Sequence, residues 1–285
     1  MIDFPIIDTH LHLWDINYLK YPWLENIPKL NRPFLLDEYH KASKEFNIEK
    51  IVFMQAECSP DQYVQEVEWV TEMAKADPGL EGIIAWAPLE KGEKVRPEIE
   101  SLNSNRLVKG IRRIIQFEPD LEFCLNPEFI KGVNILSDYD LTFDICISHI
   151  HNENILKFIS ECQHVPMILD HIGKPDIKNG ILDPWSDEIS EMSSFPNVCC
   201  KLSGMATEAD HQNWTIDDLR PYLLHVLACF GYDRLIFGSD WPVSTQASDL
   251  VTTISTFITI LRGAGATRED LMKVFYQNAR NFYGL

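Results

Sequence analysis

The sequence has few basic residues, no long apolar run and no cysteine framework, and each of these absences excludes a class of protein. Its 285 residues include 25 Lys and Arg against 43 Asp and Glu, which gives a formal net charge of −18. So acidic a chain disfavours nonspecific binding to nucleic acid or to an anionic membrane, because both require a basic face. We therefore expect no nucleic-acid partner and no membrane partner.

The seven cysteines form no C-x-x-C pair and no regular spacing. Such a set is typical of reduced, mostly buried thiols, and it argues against a disulfide scaffold. No apolar run reaches membrane-spanning length, and MIDFPIID at the N-terminus lacks the charged and apolar regions of a signal peptide. These features together predict a cytoplasmic protein.

What the sequence does contain is eight apolar, β-branched segments that alternate with amphipathic segments. Near-continuous apolar runs are typical of parallel strands covered on both faces. Eight strand–helix rounds in about 250 residues predict a single domain, residues 1–285, that folds as a (β/α)8 TIM barrel. A doubly wound sheet is the alternative, but no G-x-G-x-x-G follows the first strand. The predicted strands cover residues 6–10, 50–57, 82–89, 107–115, 141–148, 166–173, 198–204 and 234–241.

Six of the segments between these strands have the pattern of helices. Thr215 followed by Asp217, and Ser248 followed by Asp249, place oxygen caps and acidic groups at two helix starts. Glycines at positions 231 and 263 lie where two of the helices should end. The predicted helices cover residues 37–47, 60–77, 126–139, 153–163, 215–231 and 248–265.

Polar side chains gather where the apolar strands end. In barrels of this kind the C-terminal ends of the strands carry the active site. His10 and His12 are two residues apart in IIDTHLH, so both point to the same face of an extended strand. The other strand ends carry Gln55 or Glu57, Trp86, Arg112 or Arg113, Asp144, His171, Lys201 with Ser203, and Asp240.

Three imidazoles and one carboxylate form a ligand set that suits Zn²⁺ and leaves a position for water. We therefore predict that the metal-binding and catalytic residues are His10, His12, His171 and Asp240. SHIH supplies a second H-x-H, but the Asn152 behind it is a good helix cap and favours a loop. The role of these two histidines, His149 and His151, stays open.

KGIRRII contains two adjacent arginines, and strand alternation allows only one of them to face the barrel interior. Counting from Gly110 favours Arg112 as the inward residue. Its guanidinium has five donors, which suits a substrate carbonyl or carboxylate. An ion pair with an acidic neighbour inside the barrel is the alternative. No G-x-S-x-G elbow is present, so attack by an activated water is favoured over a serine nucleophile.

The motifs D-x-H-x-H at Asp8, His10 and His12, then GIRR, DHIGKP, KLSG and FGSDWPV, resemble in order the amidohydrolase superfamily. DTHLHLWD, YPWL, GIRRIIQFEPD and the closing NARNFYGL are similar to the branch that contains L-fuconolactonases and L-rhamnonolactonases. The resemblance covers the chain from Ile7 to Leu285. It implies a distorted barrel with a C-terminal helix. It also implies ring-opening of a sugar-derived lactone of fucono-, rhamnono- or galactono-type in carbohydrate metabolism.

The resemblance bears on the cofactor as well. Many superfamily members hold two metals bridged by a carboxylated lysine from the fourth strand. Here that strand ends in Arg112 and Arg113, and Lys109 lies too early. We therefore expect one divalent ion, with zinc as the first choice. Some lactonases of this branch work without added metal, so a metal-independent reaction stays open.

The expected chemistry has Asp240 accept a proton from the attacking water and return it to the departing ring oxygen. Without a metal, protonated imidazoles and Arg112 would have to stabilise the oxyanion. The residues expected to contact the substrate are Arg112, Lys174, Lys201, Trp86 and Trp241. The alternatives are a hydrolase or decarboxylase acting on another small cyclic ester, amide or unsaturated acid, and a non-catalytic barrel that binds a sugar acid. A homodimer is one expected assembly.

Overall fold

The computed structural model describes residues 2–285 and contains one eight-stranded sheet in which each strand pairs in parallel with the next along the chain. The predicted (β/α)8 barrel is confirmed, and each predicted strand overlaps an observed one. The strands are β1 (Ile6–Leu11), β2 (Ile48–Met54), β3 (Leu80–Ala85), β4 (Val108–Ile111), β5 (Thr142–Ile145), β6 (Met167–Leu169), β7 (Val198–Leu202) and β8 (Leu235–Phe237).

The first and last strands meet at a seam just beyond their C-terminal ends. The Asp240 N–H donates to the His10 carbonyl and the His12 N–H donates to the Trp241 carbonyl, both at 2.8 Å. Gly238 permits this approach, because a Cβ there would lie 2.5 Å from the His10 Cβ. The hydrogen bonds of the seam therefore fix the backbones of His10, His12 and Asp240 relative to one another.

Helices surround the barrel, and all six predicted helical segments contain one. The helices are α1 (Leu36–Ser43), α2 (Tyr63–Ala76), α3 (Arg96–Asn103), α4 (Pro127–Asn134), α5 (Asn152–Glu161), α6 (Trp185–Met192), α7 (Ile216–Phe230), α8 (Leu250–Gly263), α9 (Arg268–Met272) and α10 (Asn278–Tyr283). α3, α6, α9 and α10 lie outside these six segments, and α10 is the C-terminal helix expected from the family resemblance. α3 and α6 have only eight residues each, and α3 buries only Ile99 and Leu102, too few for a clear helical period.

The predicted helix starts are largely right in detail. Thr215 and Asp218 form a reciprocal capping box at the start of α7. At α8 the cap is Asp249 rather than Ser248, since the Asp249 carboxylate accepts from the Thr252 N–H. Gly231 ends α7 with a positive φ of 62°.

Several predicted strands run too far at their C-terminal ends. β6 ends at Leu169, and Asp170–Gly173 form a 3-10 turn that contains His171 at φ 52°. β8 ends at Phe237, three residues before Asp240 at φ 57°. The apolar composition that suggested longer strands continues into these turns because the turns are themselves buried.

The C-terminal helix predicted from the family resemblance is present and closes the barrel interior. Ala279 and Tyr283 of α10 pack into a buried cluster with side chains from five strands, namely Ile7, Val52, Met54, Ile84, Ile168 and Ile236. The seven cysteines are free thiols, and five of them are buried. Within residues 2–285, no helix has both the length and the apolar character needed to cross a membrane.

Candidate active site

Four side chains converge where β1, β6 and β8 end. His10 Nε2 lies 3.7 Å and His12 Nε2 lies 3.6 Å from Asp240 Oδ1. The His10 ring is 4.5 Å from the ring of His171 and 4.9 Å from the ring of His12, measured between centroids. None of the four residues is more than 5% exposed. The structure thus brings together the four residues that the sequence singled out.

Backbone conformation aims two of these side chains. His171 and Asp240 both have left-handed conformations, with φ of 52° and 57°, which residues other than glycine rarely adopt. Gly204 at the end of β7 leaves the space that they occupy. A Cβ at Gly204 would lie 2.5 Å from His171 Nδ1 and 3.0 Å from Asp240 Oδ2. The positions of the His171 and Asp240 side chains therefore require a glycine at position 204 and left-handed backbone conformations in their own turns.

Hydrogen bonds orient two of the imidazoles. His12 Nδ1 is 2.9 Å from the Met54 carbonyl oxygen, which can only accept, so Nδ1 carries the proton. The Nε2 atom of His12 is thereby left with a lone pair on the side of Asp240. His171 Nδ1 is 2.9 Å from Ser203 Oγ, which also accepts from the His171 backbone N–H.

The donor set fits one borderline divalent ion such as Zn²⁺. His10, His12 and Asp240 offer ligand atoms that lie within 4.8 Å of one another, and so do His10, Asp170 and His171. Arg112 Nη1 lies 3.3 Å from His10 Nε2 and Lys201 Nζ lies 3.5 Å from His10 Nδ1, so two fixed positive charges oppose each cation added beside this ring. The expected metal count, one or none, stays a prediction.

The surroundings lower the pKa of the Asp240 carboxyl group and the pKa values of the three imidazoles. Burial acts to raise the pKa of Asp240, but the nearby His171, His12 and His10 lower it below its usual range. Burial lowers the pKa of His171 to about 3, against the opposing charge of Asp240. Burial likewise lowers the pKa values of His10 and His12. These directions favour an ionised carboxylate and neutral imidazoles at neutral pH, whereas the metal-free reaction considered from the sequence requires protonated imidazoles.

A fully buried charge network lies beneath these groups. Lys201 Nζ is 2.5 Å from Asp144 Oδ2 and 2.9 Å from Asp170 Oδ1, and none of the three side chains is exposed. Arg112 Nη1 lies 3.4 Å from Asp170 Oδ2, and the Tyr283 hydroxyl donates to Asp144 Oδ2 at 3.0 Å. Two cations thus balance two carboxylates, which is the condition for burying such charges.

This network reaches the candidate centre at His10, which contacts Arg112, Lys201 and Asp170. Asp170 Oδ1 lies 3.3 Å from His10 Nδ1. Burial raises the pKa of Asp170, but Lys201 and His10 lower it well below its usual range, so Asp170 is held as an anion. An anionic partner on Nδ1 fixes the orientation of the His10 ring.

A cavity of about 470 Å³ opens above the centre. Arg112 and Lys174, two of the predicted substrate-contact residues, line it. Apolar side chains form one part of its wall, and polar ones form another part. The apolar residues include Pro22, Trp23, Ile114, Phe117 and Val243, and the polar residues include Glu57, Gln116, Glu208 and His211.

Three other predicted contact residues do not line this cavity. Lys201 has no exposed surface, because strand alternation directs it into the barrel, where it neutralises two carboxylates. Trp241 is 2% exposed and packs edge-on against Phe34 and Tyr39. Trp86 is half-buried and packs against Tyr63. The structure therefore gives these three residues packing or ion-pair roles in place of the expected direct contacts.

The second H-x-H forms a 3-10 turn, His149–His151, and lies outside the cavity wall. The His149 ring donates to the Lys174 carbonyl, and His151 is buried beside Ser148. Three members of the network, Asp144, Asp170 and Tyr283, were not predicted as site residues, although Asp144 was noted at a strand end. Asp170 stands next to His171 in DHIG, and this position at the end of a strand is a signal for it in the sequence. Tyr283 reaches Asp144 across 139 residues of sequence, and no local pattern reports such a contact.

Comparisons with known proteins give the family of the chain and agree with its fold. The sequence model of the family described as Amidohydrolase matches residues 7–285. An L-fucono-1,5-lactonase of Burkholderia ambifaria is 29% identical over 244 residues, covering 85% of this chain and 81% of the relative. An L-rhamnono-gamma-lactonase of Scheffersomyces stipitis is 24% identical over the full length of both chains. The crystal structure of an amidohydrolase from Burkholderia multivorans with bound zinc superposes with a TM-score of 0.90, at 25% identity, over 99% of this chain and 100% of that one.

Proposed function

The chain belongs to the amidohydrolase family, and we propose that it hydrolyses the ring ester of a sugar-derived lactone, of fucono-, rhamnono- or galactono-type, to the aldonic acid. One observation carries the proposal: the Asp240 carboxylate lies on the wall of the cavity, within 3.7 Å of His10 and His12. The relatives named as lactonases support the class of substrate.

Asp240 is the general base of the proposed reaction. Its pKa is lowered by the surrounding imidazoles, so at neutral pH it is ionised and able to accept a proton from water. Attack of that water on the lactone carbonyl gives a tetrahedral intermediate. Asp240 then returns the proton to the ring oxygen as the carbon–oxygen bond breaks. One carboxylate serves both steps because the intermediate separates them in time.

Arg112 is placed to stabilise the oxyanion of that intermediate. The guanidinium is held by the Gln55 carbonyl at Nη2 and by Asp170 at Nη1, which leaves Nε buried without a hydrogen-bond partner among residues 2–285. A buried donor without a partner costs about 1–3 kcal/mol. Arg112 also lines the cavity, so a substrate oxygen that accepts a hydrogen bond from the guanidinium is stabilised more as negative charge develops on it.

The residues proposed to hold a divalent ion are His10, His12, His171 and Asp240; of these, His10, His12 and Asp240 have ligand atoms within 4.8 Å of one another. When bound there, such an ion supplies Lewis-acid polarisation of the carbonyl and lowers the pKa of a bound water. With or without an ion, the Met54 carbonyl fixes the tautomer of His12, and Ser203 Oγ holds the orientation of the His171 ring.

The cavity wall also suits a sugar ring. Trp23 and Phe117 offer aromatic surface for C–H groups, and the polar part of the wall offers acceptors and donors for hydroxyls. A sugar ring has one apolar face and several hydroxyls, so it matches a cavity wall with an apolar part and a polar part.

The test is proton release from a panel of L- and D-sugar 1,4- and 1,5-lactones, corrected for spontaneous hydrolysis. We expect at least one fucono-, rhamnono- or galactono-type lactone to be hydrolysed with kcat/KM of at least about 10⁴ M⁻¹s⁻¹, the lower end for natural enzyme–substrate pairs. No acceleration on any member of the panel would refute the proposal and would direct the search to amides and unsaturated acids.

A further inference from the structure

The turn after β2 carries a carboxylate whose position is unusually well fixed. Glu57 has a left-handed backbone, φ 53°, which is uncommon for a residue with a long side chain. The side-chain amide of Gln55, which is fully buried, binds Glu57 twice. Gln55 Oε1 accepts from the Glu57 backbone N–H, and Gln55 Nε2 donates to Glu57 Oε1, both at 2.7 Å.

Hydrogen bonds from neighbouring residues hold the turn that contains Gln55 and Glu57. Arg112 Nη2 donates to the Gln55 carbonyl at 2.7 Å. The neighbouring peptide is held on both sides, since the Ala56 N–H donates to the buried Glu66 at 3.2 Å and the Ala56 carbonyl accepts from the Trp23 indole at 2.8 Å. Strain that is kept in place by so many contacts is typical of a functional site.

Glu57 lines the cavity, and its second carboxylate oxygen, Oε2, has no hydrogen-bond partner among the described residues. No Lys, Arg or His of residues 2–285 lies within ion-pair distance of this carboxylate. Because a carboxylate only accepts hydrogen bonds, Oε2 suits a ligand that brings hydroxyl donors.

The two cations that line the cavity, Arg112 and Lys174, form no ion pair with Glu57. Arg112 pairs with Asp170 and donates to the Gln55 carbonyl. Lys174 belongs to the turn after β6, which lies across the barrel from β2. Burial raises the pKa of Glu208, and the charge of Lys174 lowers it, so Lys174 interacts with Glu208. The β2 side of the cavity therefore presents a carboxylate that has no ion-pair partner among residues 2–285.

We propose that Glu57 is a specificity-determining residue: its fixed carboxylate accepts hydrogen bonds from the hydroxyls of an uncharged polyhydroxy lactone and repels lactones that carry an additional carboxylate. The substrate class rests on the proposed lactone hydrolysis. The discrimination has an attractive part, the hydroxyl contacts, and a repulsive part, the like charge.

The experiment compares galactono-1,4-lactone with the same ring bearing a carboxylate in place of the primary alcohol, at pH 7. It also measures binding of the matched cyclic ethers, which lack the ester and cannot be hydrolysed. Four proteins are used: wild type, Glu57→Gln, Glu57→Gly and the control Asp61→Asn. Gln keeps the acceptor for Gln55 and removes only the charge, whereas Gly suits the positive φ. Asp61 is exposed in the neighbouring turn Pro60–Gln62, and its substitution changes the net charge equally.

Wild type should prefer the neutral ligand of each pair. Glu57→Gln and Glu57→Gly should lower that preference about tenfold, as expected for loss of one nearby charge in a partly screened site, and Asp61→Asn should not change it. A preference that is unchanged in both Glu57 variants would overturn the proposal. If wild type hydrolyses no lactone, the proposed function fails, but the binding preference of the ethers still decides the role of Glu57.

Discussion

Substituting Lys201 by Met is the most informative perturbation of the buried network. Methionine has a similar length but no charge, so the change leaves Asp144 and Asp170 without the cation that they share at 2.5 and 2.9 Å. Removing one partner of a fully buried ion pair costs about 3–5 kcal/mol in the free energy of unfolding, because the remaining charge is neither solvated nor paired. We expect a loss in this range for Lys201→Met.

The loss should depend on pH. Burial raises the pKa of Asp144 to about 6 even with Lys201 present, although Lys201 opposes this rise. Without the ammonium the folded-state pKa rises further, so protonation of Asp144 relieves the variant at low pH. The destabilisation should therefore be larger at pH 8 than at pH 5. Activity should also fall, because Asp170, which holds His10 Nδ1 at 3.3 Å, loses its main counterion.

The assay is urea unfolding followed by tryptophan fluorescence at pH 5 and pH 8, together with lactone hydrolysis. The matched control is Lys157→Met, since Lys157 pairs with Glu153 at 2.8 Å on an exposed helix face and its loss should leave stability almost unchanged. If Lys201→Met is as stable as this control at pH 8 and retains full activity, the network neither supports the fold nor positions His10, and the reasoning is refuted.

Two further predictions concern a second buried acid and the metal. Burial raises the pKa of Glu66 to about 8, although the Ala56 N–H lowers it, so ionisation should destabilise the fold progressively between the ordinary value of 4.5 and pH 8. Glu66→Gln should therefore raise the free energy of unfolding by up to about 4 kcal/mol at pH 8.5 and by little at pH 4.5. Urea unfolding at both pH values measures this difference. An equal increase in the free energy of unfolding at both pH values would contradict the account. Zinc titration of chelator-treated protein by calorimetry should give at most one site per chain, lost in His12→Ala, and two sites of similar affinity would contradict the role given to Arg112 and Lys201 beside His10.

The barrel and its four central residues could be predicted from the sequence because both depend on local patterns. Apolar strands repeat eight times, and the polar residues His10, His12, His171 and Asp240 stand where these runs end. Strand alternation alone was sufficient to choose Arg112 over Arg113 as the inward residue, since Arg112 is 3% exposed and Arg113 makes ion pairs with Glu90 and Glu118.

Depth along the strand was not predictable in the same way. Lys201 and Asp240 are both strand-end residues in the sequence, but β7 ends at Leu202 and holds Lys201 inside the barrel, whereas Asp240 follows β8 by three residues. Strand stagger sets this difference, and stagger depends on pairing between strands. For that reason Lys201 was expected at the mouth of the barrel, in contact with the substrate, whereas it lies inside the barrel.

The partners of the buried charges are also non-local. Tyr283 contacts Asp144 only because α10 turns into the barrel interior, and Asp170 meets Lys201 only across the β6–β7 pair. Turns that carry site residues have positive φ at His171, Asp240 and Glu57, and these conformations contradict the local preference of each residue. Local reasoning fails at such places because the site itself requires the strain.

The most direct test of the central claim is the rate of lactone hydrolysis by Asp240→Asn compared with wild type, on the best substrate of the panel. Asparagine keeps the shape of Asp240 but removes the base. We expect kcat to fall by about 10²–10⁴, the usual contribution of a general base, with the fold and the binding of the matched cyclic ether retained. A variant that keeps more than a tenth of the wild-type kcat would contradict the assignment of proton transfer to Asp240.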